Sequence, residues 1–261
     1  MLGKEKLGCV SFSEETSLFV QPDGRCLKKG VLDMGSFVQA IHRLLAGDPE
    51  LWGIILLSLR VSGTALLIGA LLGVPLGAFL GLKRFFGRRL VIALLYTGMG
   101  LPPVVVGLLV YLLFSRSGPL GFLGWLFTPR AMVLAQTLIC LPVIVGFAMA
   151  AVLGVDPALR QQLRALGATA WQSTWAVVRE ARTGIIVALV AGFGSIISEV
   201  GAVMLVGGNI QGSTRVLTTA IVLETRQGHF DTALAFGLVL LLIAFAINGL
   251  VLALQGKSVE R

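Results

Sequence analysis

The first residue in this chain that could do chemistry is a carboxylate in lipid-like surroundings. Glu199 stands inside the apolar run 184–206. An ionised carboxylate there is costly unless it is paired, hydrogen-bonded or in a wet cavity. It would repel an anion, so its expected role is structural or gating. Just beyond it the chain turns polar. Asn209, Ser213, Thr214 and Arg215 are hydrogen-bond donors in one short loop. They could contact a passing anion or an outside partner; a helix-capping loop with a solvated arginine would use the same residues. Prolines form a third set. Pro75, Pro102, Pro103 and Pro142 interrupt apolar runs. Each frees backbone groups that lipid cannot satisfy, so they are expected to face protein or a wet cavity. Any one could be a plain kink. Pro102, Pro103 and Pro142 near mid-run, taken with Glu199, favour a pathway or gate over an anchor.

Gln255-Gly256-Lys257-Ser258 matches only the end of a phosphate loop. Val251 occupies the position of the first glycine, and residue 261 comes too soon for the helix that must follow. Cys9, Cys26 and Cys140 have neither metal nor disulfide spacing. His42 and His229 are isolated. The expectation is no catalytic group, no metal and no cofactor in this chain.

A set of membrane helices must position these residues. The chain is 56% hydrophobic and only 13% charged, where soluble domains carry about 25% charged residues. Five mostly apolar runs, 54–82, 91–114, 131–153, 184–206 and 232–254, each reach the roughly 20 residues that a bilayer core demands. Gly69, Gly73, Gly77 and Gly81 make a small-residue stripe suited to close helix packing. The predicted fold is all-α: a polytopic membrane domain over 54–255 and a cytoplasmic tail over 256–261. An interfacial amphipathic helix over 34–53, with Phe37, Ile41, Leu44 and Leu45 at helical spacing, precedes it. Residues 1–33 are polar and lack the apolar core of a signal peptide. They read as a disordered extension, or as untranslated with Met34 as the natural start.

Orientation follows from lysine and arginine. Loops 83–89 and 156–182 and the tail hold ten, and the opposite loops hold four. That bias places loop 156–182 and the C-terminus in the cytoplasm and the N-terminus outside. The net charge of +8 is then topological, not a nucleic-acid footprint. Arg60, near the start of the first run, is expected to snorkel outward.

Loop 156–182 is the organising feature. Asp156 is a good N-cap and Pro157 fits the first helical position. Leu159, Leu163, Leu166 and Ala170 form an apolar face; Arg160, Gln161, Gln162 and Arg164 form the polar one. Gly167 allows a left-handed turn, and Thr169 to Gln172 has capping-box spacing. The spacing resembles the cytoplasmic loop of ABC importer permeases, E-A-A-x3-G-x9-I-x-L-P. Gly167 sits at the glycine and Val177 at the isoleucine. Gln161, Gln162 and Leu163 replace E-A-A, and Glu180 replaces the proline. A solvated amphipathic linker would share this pattern. The stretch 197–230, with its Gly208-Asn209-Ile210-Gln211-Gly212-Ser213-Thr214-Arg215, closely resembles permeases of molybdate and tungstate importers, in wording nearer the tungstate branch.

The resemblance implies five core helices of the type I importer permease kind and a homodimer with an axial pore. It implies two ATPase subunits, which hold ATP and Mg, gripping Leu159, Gln161, Gln162, Leu163, Leu166 and Gly167. It also implies a periplasmic or lipid-anchored oxyanion-binding protein docking at the 209–215 mouth. The implied function is uptake of tungstate or molybdate across the inner membrane by alternating access. The rival reading is an ion-coupled secondary transporter of a small anion. Such transporters usually show internal repeats and several membrane carboxylates, and here only Glu199 is clear.

Overall fold

The computed structural model describes residues 49–255, with side chains through 249, and two short strands near the N-terminus. Those strands, β1 (Phe19–Val20) and β2 (Cys26–Leu27), pair antiparallel within the stretch expected to lack structure. The amphipathic segment before residue 49, the Met34 start and the tail 256–261 lie outside the described residues.

Pro49 opens α1 (Pro49–Leu82), a continuous helix about 51 Å long at 1.5 Å per residue. The boundary expected at 53/54, between an interfacial helix and the first span, is therefore absent. The glycine stripe packs α1 onto α4 (Pro129–Leu153). A Cβ at Gly69 would meet Cys140 Sγ at 2.7 Å, and one at Gly73 would meet Ile144 Cγ2 at 2.8 Å. At Gly77 it would meet the Val145 carbonyl oxygen at 2.7 Å, and at Gly81 Val152 Cγ1 at 3.0 Å. Partner numbers rise in step with the glycines, so the two helices run parallel. Both start at what we term the far end of the bundle and finish at the loop end.

The second expected span is not one helix. α2 (Arg88–Gly100) and α3 (Pro103–Phe114) are bent by 99°. Leu101, ahead of Pro102, is extended at φ −69°, ψ 128°, as a residue before proline prefers. Two successive prolines also remove the amide donors that would continue the helix. Pro75 and Pro142 stay inside unbroken helices. Pro142 is half-buried, whereas Pro75 and Pro102 are exposed on the chain's surface, so packing within this chain does not cover them.

Past α4 come α5 (Pro157–Ala165), α6 (Ala170–Glu180) and α7 (Arg182–Ile197). α7 runs back antiparallel to α4, with Gly184 against Ala151 and Gly192 against Ile144. The fourth expected span is also discontinuous. It breaks at Ser198, Glu199 and Val200 and resumes as α8 (Gly201–Gly207). α9 (Leu217–Gln227) is too short to cross a bilayer, and α10 (Phe230–Gln255) is the last long apolar helix described. Among the described residues three helices are long and apolar enough to cross a bilayer alone, and counting the bent pairs α2–α3 and α6–α7 as one crossing each gives up to five. Helix α4 is the hub, packed against α1, α2, α3, α7 and α8. The two sets of basic loops fall at opposite ends of the bundle.

Candidate functional site

At the loop end the sequence builds a rigid corner. Asp156 accepts the Ala158 amide at 2.8 Å and caps α5. The helix closes with Gly167 N donating to Arg164 O and Ala168 N to Leu163 O. Gly167 is left-handed at φ +83°, the glycine-ended C-cap expected there. Thr169 N then donates to Gln172 Oε1 at 2.8 Å, and Gln172 N to Thr169 Oγ1 at 3.3 Å. The capping box is complete, and α6 meets α7 at 62°.

The apolar face of this corner differs from the expected one. Leu159 turns inward and packs on the cluster of Ala78, Val152, Val177 and Ala181. It ties the corner to the bundle while staying half-buried. Leu163 is half-buried. What faces outward is Leu166, 84% exposed, with Trp171 at 75% and Trp175 at 60%. Gln161, Gln162 and Gly167 are exposed beside it. The tryptophans escaped the sequence reading, which took from α6 only its capping box. Their signal was there: four residues apart, they occupy one face of a helix whose buried face holds Ser173 and Val177.

At the far end the site is built by distant residues. Glu199 lies at the α7–α8 break and is half-buried, not enclosed in a continuous span. Its Oε1 accepts the Ala202 amide at 2.9 Å, which satisfies the carboxylate as expected for this depth. The break exposes carbonyls that lipid could not bond, and two side chains supply donors. Gln136 Nε2 donates to Ile196 O at 3.2 Å, and Thr218 Oγ1 to Glu199 O at 3.0 Å. Ser58 accepts the Leu217 amide at 2.8 Å, so α9 starts level with the break. Gln136, Thr218 and Ser58 were not among the expected site residues; only tertiary contact makes them visible. Close helix approach seats α3 here too, where a Cβ at Gly107 would lie 2.5 Å from Ala202 Cα.

The mouth loop is only partly the donor surface expected. Thr214 is fully buried. Its hydroxyl donates to Gly207 O at 2.5 Å and accepts from Ile210 N at 2.9 Å. It is a clamp inside the loop, and we remove it from the outward donors. Arg215 lies 3.6 Å from Glu50 Oε1, which also accepts from Gln211 Nε2 at 2.6 Å. The arginine therefore ties the loop to the start of α1. Asn209 sits at φ +52° with Oδ1 buried and unbonded among the described residues. Ser213 is exposed. Pro102 and Pro103 form the α2–α3 elbow, and Pro142 packs near Gly98.

Comparison with known proteins adds the family. The family described as binding-protein-dependent transport system inner membrane component matches residues 73–259. A probable anion ABC transporter permease of Haloferax volcanii is 48% identical over 198 residues, covering 74% of this chain and 85% of that protein. The tungstate uptake system permease protein TupB of Peptoclostridium acidaminophilum is 42% identical over 219 residues, covering 84% of this chain and 96% of its own. A solved bacterial alginate ABC transporter, in complex with an alginate-bound periplasmic protein, is similar in fold with TM-score 0.69 at 24% identity, over 85% of each chain.

Proposed function

The chain belongs to the family of binding-protein-dependent transport system inner membrane components, and on that premise we propose that it is the permease of an ATP-driven oxyanion importer whose cargo is tungstate. The cargo is carried over from the TupB relative; molybdate, a dianion of nearly the same size, is the neighbouring choice. The observation that carries the reading is the exposed Leu166, Trp171 and Trp175 on a corner capped at both helices. Large apolar side chains on a solvated loop mark a docking face. A partner ATPase, which holds ATP and Mg, seats there, one copy per permease of a homodimer. The loop end is cytoplasmic on the basic-residue bias, and the far end receives the binding protein, with Asn209 and Ser213 as its remaining docking residues.

ATP-driven closure of the ATPase pair moves the α5–α6 corner. Leu159 passes that motion to the Ala78–Val152 cluster of α1 and α4. At the far end, the α7–α8 break is bonded to α4 through Gln136 and to α9 through Thr218. It is therefore the hinge that opens or seals the pathway, with Glu199 capping its outer half. Transport follows if cargo affinity differs between the two states.

The test is tungstate uptake by vesicles holding the permease, its ATPase and the binding protein. Uptake with ATP and no ion gradient is expected. Uptake that runs on a proton or sodium gradient without ATP would establish the secondary-transporter reading instead.

A further inference from the structure

We propose that the groove between α1 and α4 at the far end binds an anionic phospholipid, with its phosphate between Arg60 and Arg130 and an acyl chain along Ile68 and Leu134. The groove has a volume of about 790 Å³. Arg60 and Arg130 are both exposed on its walls. Neither forms an ion pair among the described residues, and the nearby carboxylate of α1, Glu50, is engaged by Arg215 and Gln211.

The hydroxyls of the groove are already used. Thr64 donates to Arg60 O, Thr128 to Trp125 O, and Thr137 to Val133 O. The two guanidiniums are thus its unpaired charges, and they lie above an apolar slot. One wall is preformed: Trp125 stacks on Phe114 at 5.6 Å and 5°, and Phe127 N donates to Val206 O at 2.9 Å. Depth agrees as well. Exposed Phe122 and Trp52, with Trp125, mark the headgroup level at this end, where aromatic rings collect. The register that sets Gly69 against Cys140 places Arg60 level with Ala131, so the two arginines lie at one depth, on stems long enough to reach up to that belt. Guanidinium forks bind phosphate oxygens well.

This charge pattern selects the occupant. A small dianion needs donors around it, and here they stand at one end of a long apolar slot. A second copy of this chain seated by a twofold axis would bring its own two arginines against these two, with no free carboxylate between them. A lipid matches both halves of the groove. The idea does not depend on which anion is transported.

The test uses the full chain purified in detergent with equal phosphatidylglycerol and phosphatidylcholine, with bound lipid counted by native mass spectrometry. Wild type should retain phosphatidylglycerol selectively. Arg60→Gln with Arg130→Gln should retain about tenfold less, and the Lys pair should keep part of the binding. Leu134→Trp, which fills the slot and leaves both arginines, should also lose the lipid. Equal retention of the two lipids by wild type, or unchanged retention in the Gln pair, overturns the proposal. So does displacement of phosphatidylglycerol by tungstate with Leu134→Trp still binding tungstate, which would make the groove an oxyanion site. Loss of the dimer in the Gln pair at unchanged lipid retention would make it a subunit contact.

Discussion

The corner at α5 and α6 is fixed by bonds that reach two to five residues along the chain. The far end is fixed by bonds between residues that are distant in sequence. Ser58 meets Leu217 across 159 positions, Gln211 meets Glu50 across 161, and Gln136 meets Ile196 across 60. The two regions therefore answer differently to motion. A locally capped corner can be pushed as a unit and keep its shape, which suits a lever. A region bonded across α1, α4, α7 and α9 must rearrange when those helices shift, which suits a gate.

The largest effect should come from the seam that joins the two regions. Gly77→Leu puts a side chain where backbone atoms of Val145 and Met149 stand within 2.9 Å. Flexible side-chain tips can move aside, but a helix backbone cannot. The expected outcome is loss of detergent-stable protein on size exclusion, with both regions failing together. A stable Gly77→Leu protein would mean that α1 and α4 can separate, and the lever would then lack a rigid path to the gate.

Next in size is the outward face of the lever. Burying a large apolar side chain contributes roughly 1.5–3 kcal/mol, so Leu166→Asp with Trp171→Asp should release the ATPase almost completely in tagged co-purification. Thermal stability of the permease should stay near wild type, since both residues are exposed. Leu159→Ala should do the reverse, lowering stability by about 1–2 kcal/mol because its half-buried side chain packs against the bundle. If Leu159→Ala releases the ATPase without destabilising the permease, the face has been assigned to the wrong leucine.

How legible each region was in the sequence follows the same division. Asp156, Pro157, Gly167 and the Thr169–Gln172 pair could be read directly, because capping is decided within one turn. The glycine stripe was legible because its period equals the helical repeat that α4 touches. The direction of Leu159 was not, since an apolar face does not reveal which of its members reach the bundle. Nor could the Thr214 clamp be seen, because a threonine beside an arginine looks like a donor until its bonds to Gly207 and Ile210 are known. The break at 198–200 was hidden for a similar reason. Ser198 and Glu199 are polar, but long apolar runs flank them, and what permits the break is Gln136 and Thr218 from other helices.

A smaller effect should separate clamp from docking group at the mouth. Thr214→Val keeps the shape of the buried side chain and removes both of its bonds. Leaving a buried amide and carbonyl unbonded costs about 1–3 kcal/mol. The melting temperature should fall, and stimulation of ATPase activity by loaded binding protein should fall with it. Ser213→Ala, on an exposed residue, should leave stability alone. Should Thr214→Val weaken stimulation with no change in melting, the hydroxyl is a contact after all and the clamp reading fails.

The smallest effect tests whether the lever really depends on itself. In Thr169→Ala the N-cap oxygen is lost, and in Gln172→Ala the reciprocal acceptor for Thr169 N is lost. Removing a cap costs about 1 kcal/mol. Because the two bonds close one box between residues three positions apart, the variants should not be additive, and the double variant should cost less than their sum. The loss should also be local. Hydrogen exchange should speed up at the amides of Thr169 and Gln172 and in the first turn of α6, while amides of α4 and α9 keep wild-type protection, since no bond of the box reaches them. Exchange that quickens at α9 as well would show that the corner is coupled to the far end through the folded ensemble even without ATPase. The division between a self-contained lever and a tertiary gate would then be one of degree.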